Sequence, residues 1–288
     1  MRMAPICLPC MLRQAITAAE AAGKPELAWR AAQEVAKIIA SLPEGTTVPE
    51  AAVRVHRLIR EVLGVDDPFA EHKRRSNEVM LSLLPRARRW ALRQPDPLKA
   101  AAKLALAANI IDVATRGGEL GDPWPEIRRT ARAPLTVDHF SALRERLERA
   151  RTILYLGDNA GECVMDGLLI EFIKRERPGV EVYFVAKSGP AINDATVEDA
   201  FSVGLDRVAK VIESGADAPG LAPGEVNPEV EGLLKEADIV IAKGQANFES
   251  LDDAPREIFF ALKVKCPAIA GHIGYPVGSS IFWLKPGR

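Results

Sequence analysis

The chain has 288 residues and a formal net charge of -1, which argues against a dominant surface for nucleic acid or anionic lipid. With 48% hydrophobic residues it carries ample material for a core, so a disordered or fibrous chain is excluded. No apolar run approaches the ~20 residues that cross a bilayer, and four cysteines are too few to staple a chain this size.

The N-terminal stretch MRMAPICLPCMLRQ has no long apolar segment and no small-residue cleavage site, so a cytoplasmic protein with reduced thiols is expected. The first half is then written in helical period. PELAWRAAQEVAKIIASL opens on Pro25 and repeats its apolar residues at three-to-four spacing. TVPEAAVRVHRLIREVLG has a Thr47 cap, Pro49 in its first turn and Gly64 as a stop. DDPFAEHKRRSNEVMLSLL is ended or kinked by Pro85. DPLKAAAKLALAANIIDVATRGG closes on Gly117 and Gly118. Short connections between such helices predict a bundle domain over 1–120.

From 121 to 150 the sequence reads as a Pro-rich connector, GDPWPEIRRTARAPLT, followed by one charged linking helix from Val137. Over 151–288 strand-length apolar runs alternate with helices: TILYLG, EVYFVAK, VAKVIES and DIVIAKG, then a closing stretch EIFFALKVKCPAIAG. That alternation predicts an α/β fold with a mostly parallel sheet and helices on both faces.

Ligands of such sheets bind beyond the carboxyl ends of the strands. Three polar strand exits lie there: GDNAGE, KSGPAIND and KGQANFES. The first sets Asp158 and Asn159 before a helix, where they cap it or bind a cation. The second delivers Asn193 and Asp194. Carboxylates and amides offer hard oxygen ligands, which suit Mg²⁺ or Mn²⁺ and are poor for structural zinc. The third supplies Lys243, with Gly244 letting a ligand approach the backbone closely. A cation beside a metal-carboxylate cluster describes a phosphate cradle. Lys187 is a second cation, Asn247 a further substrate contact in the third loop, and Glu162 a candidate proton acceptor or support for the first loop.

These three loops resemble the signature loops of the metal-dependent damage-control phosphatases, long catalogued as domain of unknown function 89. DPFAEHKRRSN and AANIID resemble the helical motifs of that family, CLPCMLRQA the cysteine-pair start of its stand-alone prokaryotic branch, and LKVKCPAIA its closing strand. The resemblance implies a helical domain on a Rossmann-like layer and hydrolysis of small phosphorylated metabolites. It implies one divalent ion (Mn, Co, Ni or Mg) held by Asp158, Asn159 and Asp194, with Asn77 and Asn109 contacting substrate from helices roofing the sheet. Lys187 departs from the arginine expected there, which weakens bidentate phosphate recognition.

Competing readings are an S-adenosylmethionine-dependent methyltransferase and a non-catalytic phosphometabolite-binding protein. The methyltransferase needs an acid after the second strand, where Lys187 stands. GxGxxG is absent, against a dinucleotide dehydrogenase. Cys7 and Cys10 lack the further ligands of a zinc site; Cys163 and Cys266 read as packing residues. The basic stretches HKRRS and RARRW read as solvated helix faces rather than nucleic-acid contacts. The oligomeric state, and whether water or Asp158 attacks phosphorus, are open at this level.

Overall fold

The computed structural model describes residues 1–109 and 122–287; the end of the AANIID motif and its stop at Gly117 and Gly118 lie outside the described residues. Helices α1 (Cys7–Ala21), α2 (Ala28–Ser41) and α3 (Val48–Leu63) come first. The Thr47 and Glu50 side chains form the capping box of α3, and Gly64 ends it in a left-handed conformation, φ +60°. Their apolar faces close around a core of their own, with Ala15, Val35, Val55 and Ile59 at its centre.

Helix α4 (Ala70–Leu92) continues through Pro85, where an end or kink was expected. Leu83, Ala87 and Ala91 on its buried face anchor the turns on both sides of the proline. Helix α5 (Pro97–Ala108) starts on Asp96, whose side chain accepts the Lys99 N–H. The expected connector contains a further helix, α6 (Trp124–Arg132). Its prolines fall at the start, where no N–H partner is lost, and Trp124, Ile127 and Ala131 bury one stripe.

The sheet strands are β1 (Val137–Asp138), β2 (Thr152–Leu156), β3 (Glu181–Ala186), β4 (Lys210–Glu213), β5 (Ile239–Lys243), β6 (Ile258–Lys263) and β7 (Ser280–Lys285). Helices α7 (Phe140–Leu147), α8 (Glu162–Glu176), α9 (Val197–Ser202), α10 (Pro228–Glu236), α11 (Gly244–Leu251) and α12 (Pro267–Ile273) connect them. The order is β1-β7-β6-β5-β2-β3-β4, parallel except at β6–β7. The linking helix thus starts three residues later than expected, after the short parallel strand β1.

Side chains alternate between two cores. Ile153, Tyr155, Phe184, Ile241 and Phe259 face α5 and α8, sharing one cluster with α4, α5 and α6. Leu154, Leu156, Val240, Ala242 and Phe260 face the other way, toward Val230, Phe248 and Ile269 of α10, α11 and α12. Connections leaving β2 run toward β3 on one side, and those leaving β5 run toward β6 on the other. The chain reverses between β2 and β5, so their carboxyl ends open a crevice. No described helix is long and apolar enough to cross a membrane.

Candidate metal and phosphate site

The crevice holds the first and third polar loops side by side. After β2, Gly157 donates its N–H to the Val185 carbonyl at 3.0 Å, and Asp158 follows at once. After β5, Gly244 takes φ +74°. A Cβ at Gly244 would lie 2.2 Å from Asp158 Cγ, so the glycine is what lets the third loop press against the first.

The second loop is tied to the first by backbone pairing. Asn159 and Asp194 form an antiparallel bridge, the Ala160 N–H donates to Asn193 O at 2.9 Å, and the Ala195 N–H to Asp158 O at 2.7 Å. Ile192 just before it sits at φ +52°, an unfavourable region for a β-branched residue. Its side chain packs against the α1–α3 core, which offsets that strain and docks the loop on the helices. Asp158, Asn159 and Asp194 therefore converge on one cavity of about 680 Å³.

The electrostatics are those of excess buried negative charge. Burial, reinforced by the charge of Glu162, pushes the Asp158 carboxyl up to about 6. Burial pushes Asp194 up to about 7, against the charge of Lys187 and with that of Asp158. Asp194 Oδ2 is buried with no hydrogen-bond partner, and Lys187 Nζ stands 3.7 Å away. An orphaned carboxylate oxygen beside a second buried acid fits a cation. Among the described residues no group of three or more His, Cys, Asp or Glu side chains is arranged to hold a metal ion. The candidate ligands are two carboxylates and one amide, all oxygen donors, and they leave positions open for water and a phosphate.

Behind Asp158 lies a second layer. Asn109 Nδ2 donates to Asp158 Oδ2 at 2.8 Å and to Glu162 Oε2 at 2.5 Å. Asn159 Nδ2 donates to the same two acids, at 2.7 and 3.0 Å, which turns its amide oxygen away from them. Glu162 Oε1 accepts from Lys243 Nζ at 2.5 Å, and Lys243 also donates to Asp166 Oδ1 at 2.6 Å and Ala105 O at 3.2 Å. Tyr155 donates its hydroxyl to the same Asp166 oxygen at 2.6 Å. Burial alone would lower the Lys243 pKa, but the charges of Asp166 and Glu162 outweigh it and hold the ammonium above its usual range. Burial lifts Asp166 to about 7, against the pull of Lys243.

This geometry relocates several residues expected to meet substrate. Lys243 is 1% exposed, spends its donors on Glu162, Asp166 and Ala105, and does not line the cavity. Lys187 is buried too, bonding the Gly220 carbonyl beside Asp194, and burial lowers its pKa. Asn77 and Asn109 lie beneath the loops and not on the cavity wall. Asn77 Oδ1 accepts the Gly161 N–H at 2.6 Å while its Nδ2 donates to Asp199 Oδ1 at 3.0 Å. Asn247 Nδ2 donates to Gly157 O at 2.9 Å and Lys243 O at 2.8 Å, holding the two strand exits together.

The cavity wall comes from elsewhere. Arg13 and Gln14 of α1, His56 of α3, Gln245 and Glu249 of α11, and Lys265 line it. The helices facing the acids across it are α1 and α3, not the segments carrying Asn77 and Asn109. Lys265 follows β6 and its charge acts on Asp158. It stands at a strand exit in LKVKC, so the rule that singled out Lys243 applies to it equally. Cys7, Cys10 and Cys266 are free, half-buried and on this wall; Cys266 also packs against the core on the α10–α12 side of the sheet, and Cys163 is fully buried.

Comparison with known proteins agrees with this architecture. A damage-control phosphatase of Archaeoglobus fulgidus is 33% identical over 287 residues, covering 98% of each chain. One of Pyrococcus horikoshii is 37% identical over 278 residues, 96% of this chain and 95% of its own. A crystal structure of a DUF89 family protein from Pyrococcus horikoshii superposes with a TM-score of 0.89 at 35% identity, covering 99% of both chains. The family model described as the damage-control phosphatase ARMT1-like domain matches residues 3–281, and the chain belongs to that family.

Proposed function

We propose that the chain is a metal-dependent phosphatase that hydrolyses small phosphorylated metabolites, with Asp158, Asn159 and Asp194 as the ligands of one divalent ion. The observation that carries this reading is the pairing of two buried acids, Asp158 and Asp194, across adjacent strand exits in a cavity of substrate size. Homologues named damage-control phosphatase along nearly the whole chain support it.

An ion bound there supplies positive charge against the phosphoryl oxygens, where charge develops during transfer. The chain does the rest. Lys265 faces the same cavity and adds a cation for the phosphate. Both Glu162 oxygens are committed, to Lys243 and to the two asparagines, so Glu162 orients Asn159 and Asp158 rather than accepting a proton. Lys243 neutralises that acid from behind. Residues of α1 and α3 line the cavity and would meet the leaving group.

The test is hydrolysis of p-nitrophenyl phosphate by chelator-treated protein, before and after adding Mn²⁺, Co²⁺, Ni²⁺ or Mg²⁺. Turnover that returns only with metal is expected. An ester left intact under every metal rules the reading out.

A further inference from the structure

Glu249 lies on the face of α11 that lines the cavity, together with Gln245 and Ala246. That helix begins at Gly244 against Asp158, and five residues carry Glu249 about 7 Å further along its axis. A separation of that scale divides a phosphate from a substituent a few bonds away on its leaving group. The acid therefore sits where the organic part of a phosphate ester would lie.

The charges around it leave Glu249 dominant at that end. Its carboxyl is pushed up to about 7 by burial, opposed by the Met1 amino group and reinforced by the Asp158 charge. The Met1 amine itself donates to the Glu249 backbone carbonyl. Arg13 and Lys265, the cations on this wall, are both exposed, so water and salt screen them. His56 is held neutral, its pKa dropped by burial to about 4. Ile6, Met11, Val48 and Ile192 add apolar surface to the wall, and low-polarity walls strengthen the field of a carboxylate.

We propose that Glu249 determines which phosphate esters the cavity accepts: it receives a hydrogen bond from a hydroxyl or ammonium group on the leaving group and repels a second anionic group there. The kinetic arm of this inference rests on the phosphatase reading; the binding arm does not.

A matched pair tests it. Glycerol 3-phosphate and 3-phosphoglycerate share a three-carbon frame and differ by a hydroxymethyl group against a carboxylate. Both kcat/KM and affinity, the latter from thermal shift of the Mn²⁺-loaded protein, are measured at pH 8, where Glu249 is ionised. The parent protein is expected to favour glycerol 3-phosphate by about tenfold or more, the scale of one charge pair at partly screened separation. In Glu249→Gln that preference should shrink at least about fivefold, chiefly because 3-phosphoglycerate improves. Glu249→Ala should show the same direction and guards against misfolding of the first variant. A parent ratio near one, or a ratio unchanged in both variants, overturns the proposal. Should p-nitrophenyl phosphate and both esters stay intact under every metal while the binding ratio shifts as stated, Glu249 keeps its role and the phosphatase reading falls instead.

Discussion

Gly244 and Asp158 touch so closely that no side chain fits between them: a Cβ on Gly244 would fall 2.2 Å from the Asp158 carboxylate, and the glycine also holds φ +74°. Gly244→Ala meets both penalties, strain in the left-handed region of about 1–3 kcal/mol and displacement of Asp158. Metal affinity and turnover should fall together, by on the order of 10² in kcat/KM. Calorimetric titration of Mn²⁺ beside steady-state kinetics checks this, and a variant with unchanged metal affinity would separate Gly244 from the site.

Lys243 and Lys265 should part company on mutation. Lys243→Ala strands Glu162 and Asp166 as buried acids without their cation, which costs about 3–5 kcal/mol of stability. Lys265→Ala removes an exposed charge and should leave stability within about 0.5 kcal/mol. Its kcat/KM for a phosphate ester should nonetheless drop by about tenfold to a hundredfold. Urea unfolding curves for both variants decide the first point and kinetics the second. Normal stability in Lys243→Ala would contradict the buried ion pairs.

The pH dependence follows from three raised acids, Asp158 at about 6 and Asp166 and Asp194 at about 7. Each folded value lies above the unfolded value of about 3.9, so folding favours the protonated form. The stability they contribute is complete below about pH 4 and is lost as pH rises through 6 to 7. Metal-free protein should therefore melt lower at pH 8 than at pH 5 as far as these groups are concerned. Metal affinity runs the other way, since protons compete for Asp158 and Asp194. It should strengthen by on the order of tenfold to a hundredfold between pH 5.5 and 7.5. Titrations of Mn²⁺ at the two pH values test the sign, and flat affinity would remove these acids from the metal site.

Much of this was legible in the sequence because it is local. The Thr47 capping box, the Gly64 stop and the strand exits at Gly157 and Gly244 are written within a few residues of where they act. The residues behind the first loop are not. Lys243 meets Asp166 across 77 positions and Asn109 meets Asp158 across 49, and no periodicity distinguishes a snorkelling lysine from one sealed in ion pairs. The two-residue strand β1 is too short to show a pattern, and β7 is antiparallel after a run of parallel neighbours. Arg13 and Gln14 reach the cavity through contacts far apart in sequence, with Ile192 packed on the α1–α3 core and Arg57 and Arg60 of α3 paired with Asp217.

Asn109 offers a finer probe of the layer behind the metal residues. Asn109→Ala deletes the donor shared by Asp158 and Glu162, both buried, at a cost of about 1–3 kcal/mol. Because Asn159 still donates to the same acids, turnover should fall less than for loss of Asp158 itself. Comparing Asn109→Ala with Asp158→Ala under saturating Mn²⁺ reads this directly. Equal loss in both would make Asn109 part of the reacting centre.

The central claim is that Asp158, Asn159 and Asp194 hold the ion on which phosphate ester hydrolysis depends. Asp194→Asn preserves shape while removing one charge, so it tests the claim with little disturbance of the fold. Calorimetric titration of Mn²⁺ into metal-free parent and variant, with p-nitrophenyl phosphate turnover on the same samples, is the most direct measurement. One ion bound per parent chain, with both that binding and turnover lost by on the order of 10² or more in the variant, is the predicted result. An Asp194→Asn protein that binds one ion as tightly as the parent and hydrolyses the ester at the parent rate would contradict it.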